Sequence, residues 1–252
     1  MTLFVGTSGW QYADWRDAFY PAGMPQRAWL AHHAAEFATV EVNNAFYRLP
    51  ERSVFERWRE QTPAGFVVAV KVSRYLTHVR RLRDPREPVG RLVDRAAGLG
   101  DRLGPYLLQL PPTMRSDPVR LDDCLAAFPP GSRVAVEPRH ESWWTDEVET
   151  VLRRHGAALA WADRRGRPVA PLWRTAPWGY VRMHEGTAAP RPSYGRSALG
   201  TWLARIDGAW PGARRSDVFV YFNNDHGAAA VRNARTLRRM AERRGFAVRS
   251  PT

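Results

Sequence analysis

The chain holds 38 basic residues, and 37 of them are arginine. The single lysine, Lys71, stands at the end of a short β-branched run, Phe66–Val72. A lysine offers a compact ammonium that can lose its proton when buried, which an arginine cannot do. Lys71 could orient a carboxylate, bind a phosphoryl or carbonyl oxygen, or form a Schiff base. The plainer alternative is a buried ion pair with Glu41 or Glu137. By two-residue alternation Glu41 shares a strand face with Asn43, and Glu137 with Arg139. Charges inside a fold are costly unless paired or used, so Glu41, Lys71 and Glu137 need one another or a ligand. In a catalytic reading Glu41 or Glu137 is the acid or base, and Lys71 and Arg139 stabilise charge. His184 completes the catalytic candidates.

Other polar or aromatic groups stand where extended runs end. Thr7, Ser8 and Trp10 follow the first run, His78 follows the third, and Gln109 closes the fourth. His140 and Trp143 follow the fifth, and Asp163 the sixth; Arg182 belongs to the seventh, and Tyr221, Asn223 and Asp225 to the eighth. These are the substrate-binding candidates. Four of the five asparagines form the pairs Asn43-Asn44 and Asn223-Asn224, a plausible cradle for a phosphate, sugar or amide beside Gly6–Gly9. They could equally start turns or cap helices. A divalent metal is a third reading, since Glu41, Glu137, His140, Asp163, His184, Asp225 and His226 supply carboxylates and imidazoles. There is no local signature such as H-E-x-x-H, and Lys71, Arg139 and Arg182 would repel a cation, so a site without a tightly bound metal is preferred. Cys124 reads as a core residue rather than a nucleophile. Trp10 and the Trp143-Trp144 pair could stack on a base or sugar, although packing is the commoner role of tryptophan.

Something must bring these groups together. Short β-branched or aromatic runs alternate with longer amphipathic segments. The expected strands are 3–6, 39–43, 66–72, 106–110, 133–137, 157–162, 180–184 and 218–223. The expected helices are 26–37, 53–61, 89–99, 121–128, 144–155, 198–206 and 228–244. Such alternation means parallel strands with right-handed crossovers and outer helices. Eight strands in 252 residues match an α/β fold of the (β/α)8 TIM-barrel type, over a single domain spanning 1–252. No nucleotide-cofactor motif is present: Gly6-Thr7-Ser8-Gly9-Trp10 stands where G-x-G-x-x-G would follow the first strand. The long connections 73–88 and 185–195 would lie at the carboxyl ends of the strands, where such barrels carry function.

Composition bounds the partners. With 44% hydrophobic residues the chain is a globular one, and no apolar run approaches the ~20 residues of a membrane span. The first residues lack a basic segment followed by an apolar stretch, and one cysteine excludes an internal disulfide framework, so a soluble cytoplasmic protein is expected. The formal charge of +13 would ordinarily suggest a nucleic-acid partner. The arginine skew, with 20 prolines, fits a GC-rich coding sequence equally well. In the last helix Ala230, Ala234, Leu237 and Ala241 share one face, and Arg232, Arg235, Arg239 and Arg243 fall on the opposite, outward one.

Several motifs together resemble the YecE-like family, also called domain of unknown function 72. They are Gly6-Thr7-Ser8-Gly9-Trp10 with Tyr12 and Trp15, Thr39-Val40-Glu41-Val42-Asn43 with Phe46-Tyr47-Arg48, and Lys71 with Thr77-His78. The similarity continues through Leu108-Gln109-Leu110-Pro111-Pro112, Glu137-Pro138-Arg139-His140, Tyr180-Val181-Arg182-Met183-His184 and Tyr221-Phe222-Asn223-Asn224-Asp225. The resemblance covers about residues 3 to 240. It implies a (β/α)8 barrel and supplies no reaction. One departure is visible: the family tends to have His-Gly after the seventh strand, whereas here Glu185 separates His184 from Gly186.

Three functional readings follow. The first is an enzyme, a hydrolase or an isomerase or lyase, acting on a small polar or phosphorylated substrate by acid–base and electrostatic catalysis. The second is a nucleic-acid-binding protein or phosphodiesterase using the arginine-rich surface. The third is a non-catalytic ligand-binding module.

Overall fold

The computed structural model describes residues 1–211 and 216–251. Its centre is a curled, almost wholly parallel sheet. The strands are β1 (Thr2–Ser8), β2 (Thr39–Val42), β3 (Val67–Lys71), β4 (Leu103–Gln109), β5 (Val134–Glu137), β6 (Ala158–Leu159), β7 (Trp161–Arg164), β8 (Arg167–Pro168), β9 (Gly179–Glu185), β10 (Asp217–Phe222) and β11 (Ala247–Val248). They pair in the order β6-β5-β4-β3-β2-β1-β10-β9-β7-β8, with β11 added alongside β1. The expected sixth strand, 157–162, is divided at Ala160. Its first half, β6, pairs with β5, and its second half, β7, pairs with β9.

Helices α1 (Trp29–Glu36), α2 (Asn44–Tyr47), α3 (Arg52–Glu60), α4 (Arg86–Ala96), α5 (Pro118–Ala126), α6 (Asp146–Arg154), α7 (Arg196–Ala209) and α8 (Ala229–Arg243) fill the connections. Local chemistry starts several of them. Asp117 accepts a hydrogen bond from the Arg120 N–H, with Pro118 in the first turn of α5. Thr145 accepts from the Val148 N–H at the start of α6, whose first turn carries Asp146, Glu147 and Glu149 and whose last carries Arg153 and Arg154. No helix among the described residues is long and apolar enough to cross a membrane.

Strand alternation sorts the core into two clusters. Val5, Val40, Val68, Val70, Leu108, Val136, Val181 and Val220 face outward and pack under the helices with Trp29, Phe37, Trp202 and Leu237. Phe4, Ala69, Leu107, Ala135, Ala158, Ala160, Tyr180, Phe219 and Tyr221 fill the inner side of the sheet. Gly6 lies on that inner row because β1 and β2 approach closely: a β-carbon there would run into the Thr39 carbonyl oxygen.

α8 buries Ala230, Ala234, Leu237 and Ala241 as its spacing requires. Its arginine face is less free than the sequence suggests. Arg232, Arg239 and Arg243 are exposed, but Arg235 is half-buried and pairs with Glu36 of α1 at 3.1 Å. Arg238 binds the same carboxylate at 3.1 Å. Part of the stripe is therefore a helix–helix contact.

Candidate functional site

Sheet register assembles the site. Ser8 lies opposite Glu41 across β1 and β2, and Gln109 opposite Glu137 across β4 and β5. Arg182 lies opposite Tyr221 across β9 and β10, and Lys71 opposite Leu107 across β3 and β4. Ser8, Glu41, Lys71, Gln109, Glu137 and Arg182 all face the inner side at or near the carboxyl ends of their strands.

Arg182 is the hub of this layer, and 1% of its surface is exposed. Its Nε and Nη2 donate to the two oxygens of Glu41 at 3.0 and 2.7 Å, a bidentate pair. Its Nη1 donates to Glu137 Oε2 at 2.8 Å. Tyr180 donates its hydroxyl to Glu41 Oε2 at 2.6 Å, and the Ser8 hydroxyl donates to Glu41 Oε1. Gln109 donates to Glu137 Oε2 at 3.0 Å, His184 Nε2 lies 3.0 Å from Glu137 Oε1, and Arg139 Nε lies 3.4 Å from it. Burial alone would raise both carboxyl groups. The Arg182 charge and the hydrogen bonds prevail, holding Glu41 below and Glu137 well below the ordinary carboxylate value. The same two carboxylates, working against burial, hold the Arg182 guanidinium above its ordinary value.

Lys71 is different. It is nine-tenths buried, yet its ammonium has no hydrogen-bond or ion-pair partner among the described residues. It sits 4.1 Å from the centre of the Phe46 ring. Burial, with the Arg182 charge beside it, pushes its amine down to about 8 against the opposing pull of Glu41 and Glu137. The Lys–Glu ion pair, the plainer of the two readings of Lys71, does not form, because Arg182 already occupies both carboxylates.

Lys71 faces a cavity of about 520 Å³ whose wall also includes Tyr12, Asn43, His78, Arg139 and Asp225. Burial lowers the His78 imidazole, helped by the charges of Lys71, Arg74 and Arg139. A second cavity of about 610 Å³ adjoins it through Arg139, Asn223 and Asp225, and holds Glu137, His184 and His226. Asp225 belongs to both. Burial pushes its carboxyl up to about 7, against the pull of Tyr12 and Arg182, and its Oδ1 has no partner. Asn43 donates to Ser8 Oγ at 2.9 Å, and Asn223 Nδ2 lies 3.1 Å from His184 Nδ1. Among the described residues, no three His, Cys, Asp or Glu side chains gather as a metal-holding group.

A family model described as protein of unknown function DUF72 matches residues 4–252. The chain belongs to DUF72. The UPF0759 protein YecE of Escherichia coli (strain K12) is 32% identical over 155 residues, which are 60% of this chain and 54% of that protein. The match thus spans about half the length of the curated relative. The crystal structure of a DUF72 family protein from Thermotoga maritima MSB8 is similar with a TM-score of 0.80 at 25% identity, over 96% of this chain and 100% of that one. A DUF72 family protein from Enterococcus faecalis V583 gives 0.78 at 18% identity, over 96% of each chain. A xylose isomerase-like TIM barrel/4-hydroxyphenylpyruvate dioxygenase fusion protein gives 0.50 at 16%, over 93% of this chain and 44% of that one. The last two likenesses show the fold alone: an α/β architecture whose parallel sheet curls as in a TIM barrel.

Glu185, which separates His184 from Gly186 in this DUF72 chain, is anchored. Its carboxylate lies 3.5 Å from Arg164 and 3.3 Å from Arg165, and its N–H donates to the Tyr194 hydroxyl at 2.9 Å. His184 still reaches Glu137.

The structure leaves several sequence candidates away from the cavities. Thr7 points to the outer side, 2.8 Å from His33 Nε2. Trp143 is fully buried and donates to the Met114 carbonyl at 2.8 Å, so its ring cannot stack on a ligand. Asp163 is buried, accepting from Tyr194 at 2.6 Å and Trp202 at 2.7 Å. Tyr221 lies below the site, its hydroxyl 2.7 Å from that of Thr39. His140 accepts from the Ser142 N–H at 3.1 Å as a turn cap. Trp10 borders the first cavity but is buried, edge-on to Trp58 at 5.3 Å. Asn224 donates to Asn233 Oδ1 at 2.9 Å and borders only the second cavity, so Asn223 alone of this pair reaches both. Cys124 is buried, and burial pushes its thiol up to about 12.

Tyr180 and Phe46 were not singled out from the residues. Tyr180 lies two positions before Arg182, so alternation placed it on the same face. Phe46 had no signal, since its place over Lys71 depends on α2.

Proposed function

We propose that this DUF72 chain is an enzyme acting on a small anionic substrate, phosphorylated or otherwise, at the carboxyl ends of its strands. The observation that carries this reading is the unpaired Lys71 ammonium on a cavity wall shared with Arg139. Arg182 and Arg139 together balance Glu41 and Glu137, so the Lys71 ammonium is left as the excess charge on this wall. A buried cation without a counter-ion is costly, and an anionic ligand relieves that cost. Lys71 and Arg139 bind and stabilise the anion. Glu41 and Glu137 fit the acid or base role poorly, because both are held ionised and hydrogen-bonded. Asp225 takes that role: its carboxyl exchanges protons near neutrality and opens to both cavities. His184 and Asn223 orient the substrate in the second cavity.

The site also favours closure of the sheet into a (β/α)8 barrel. β6 and β7 are separated only by Ala160, whose N–H donates to Val136 at 2.8 Å while β7 holds β9, so one stretch of chain bridges both edges. The single buried cysteine suits a cytoplasmic setting, to which we assign the protein.

Thermal unfolding with phosphate monoesters at low ionic strength tests the reading. Anions raise Tm, their uncharged counterparts do not, and Lys71→Met removes the difference. No anion-dependent shift in the wild type would sink it. Turnover lost in a folded Lys71→Met or Asp225→Asn variant would exclude a purely ligand-binding module.

One observation favours the nucleic-acid reading. Tyr47 is 80% exposed on the edge between the Lys71 cavity and a smaller one of about 270 Å³ lined by Arg48, Tyr75, Arg91 and Arg95. Exposed tyrosines among arginines suit stacked bases and phosphates. Single-stranded oligonucleotide binding that weakens steeply with salt and is lost in Tyr47→Ala would select this reading over the first.

A further inference from the structure

We infer that Lys71 is a nucleophilic amine that forms a Schiff base with a small carbonyl compound carrying an anionic group. This rests on the anion-site reading above and names the substrate class of the same site.

Four features of the fold lead there. The position keeps an amine in a chain whose other 37 basic residues are arginine. A group needed only for charge could be either residue, whereas a group that must attack a carbon has to be lysine. The amine is free of competitors, since the two carboxylates within its field are already bound to Arg182. It faces a cavity of about 520 Å³, large enough for a compact substrate. Its neighbours are cationic: Arg182 stands behind it and Arg139 on the same wall. Desolvation and adjacent cations are the two means by which a protein frees a lysine amine near neutral pH. The opposing influences are the Glu41 and Glu137 carboxylates and the Phe46 ring, all of which favour the ammonium.

The step balances without an added oxidant or reductant. The ammonium gives one proton to solvent, and its Nζ lone pair forms a C–N bond with the carbonyl carbon. The carbonyl electron pair moves to oxygen, which takes up a proton as the attached nitrogen gives one up, and the product is a carbinolamine. A second proton converts that hydroxyl to leaving water as the nitrogen lone pair forms C=N. One ammonium and one carbonyl compound thus become one iminium ion and one water, with the charge conserved. Arg139 holds the anionic group, and Asp225, on the same cavity, is placed to carry protons to and from the departing oxygen.

The test is reductive trapping. The intact protein is incubated separately with dihydroxyacetone phosphate, pyruvate and uncharged dihydroxyacetone in the presence of cyanoborohydride, then mapped by peptide mass spectrometry. Only two sites can react, Lys71 and the terminal amine, so assignment is direct. The expected result is an adduct on Lys71 formed about tenfold faster or more with at least one anionic compound than with dihydroxyacetone. Its rate rises as pH approaches about 8 from below, rather than near the ordinary lysine value of 10.5. Whether the phosphate or the carboxylate compound reacts identifies the anion. Lys71→Arg abolishes the adduct while keeping the native Tm. An adduct on the terminal amine alone, or equal rates for charged and uncharged compounds, overturns the inference. So does the absence of any adduct. sn-Glycerol 3-phosphate, which has no carbonyl, separates the two claims. If it raises Tm while trapping fails, the anion site stands and the Schiff base falls; if it does neither, both fall.

Discussion

Arg182 and Lys71 are two cations on the inner side of the same sheet, and the fold treats them oppositely. Arg182 is surrounded: two carboxylates, Ser8 and the geometry of β9 account for all three of its guanidinium nitrogens. Lys71 has an aromatic ring on one side and a cavity on the other. The difference separates what holds the site from what the site offers. A saturated buried ion network rigidifies its surroundings and has little left for a ligand. An unsaturated buried cation keeps part of its desolvation cost in the folded state, and a ligand of opposite charge can remove it.

The largest effect expected is that of Arg182→Met. It leaves Glu41 and Glu137 buried without their counter-ion, and removing one partner of a buried pair costs about 3–5 kcal/mol. Urea unfolding should show a loss of this order, or failure to fold; unchanged stability would mean that the network does not hold the layer together. Tyr180→Phe comes next. It removes one donor to Glu41 Oε2 but leaves the Arg182 bond, so a loss of about 1–2 kcal/mol is expected in the same assay.

Lys71→Met should have the opposite sign. The amine is lowered from 10.5 to about 8, so the charged form is disfavoured in the fold. Replacing it leaves stability equal or raised below pH about 8, and the gain fades as pH climbs towards 10.5. A clear loss of stability at pH 7 would show that Lys71 is a structural partner after all. Asp225→Asn should show in the pH profile. The carboxyl is raised from 3.8 to about 7, so the native state holds its proton where the unfolded chain has released it. Its contribution to stability is complete below pH 3.8 and is lost as pH rises through about 7. The Tm of the wild type should therefore fall, relative to the variant, between roughly pH 4 and pH 7. Parallel profiles would mean that Asp225 is an ordinary carboxylate.

Element positions were largely legible in the sequence, since strand and helix periods differ and the β-branched runs are short. The expected 39–43 became β2, and 228–244 became α8. Ala157–Ala162 was read as one strand because nothing in its composition marks Ala160 as a division between two pairing partners. The site was legible as a layer but not as a circuit. Glu41, Lys71, Glu137 and Arg182 were all named. Their pairing was not, because four charges on separate strands allow several neutralising arrangements. Asp163 points away from the cavities for a related reason. A polar atom at a strand end can point to either side, and one residue of register decides which.

The sequence by itself determined the order of the elements, the inward or outward face of most strand positions and the isolation of one lysine among arginines. Those are properties of neighbouring residues and of composition. Only the tertiary structure decided that Arg182, rather than Lys71, pairs with both buried carboxylates. That choice depends on distances of 2.7 to 3.0 Å among β2, β5 and β9, set by sheet curvature and register across segments far apart in the chain.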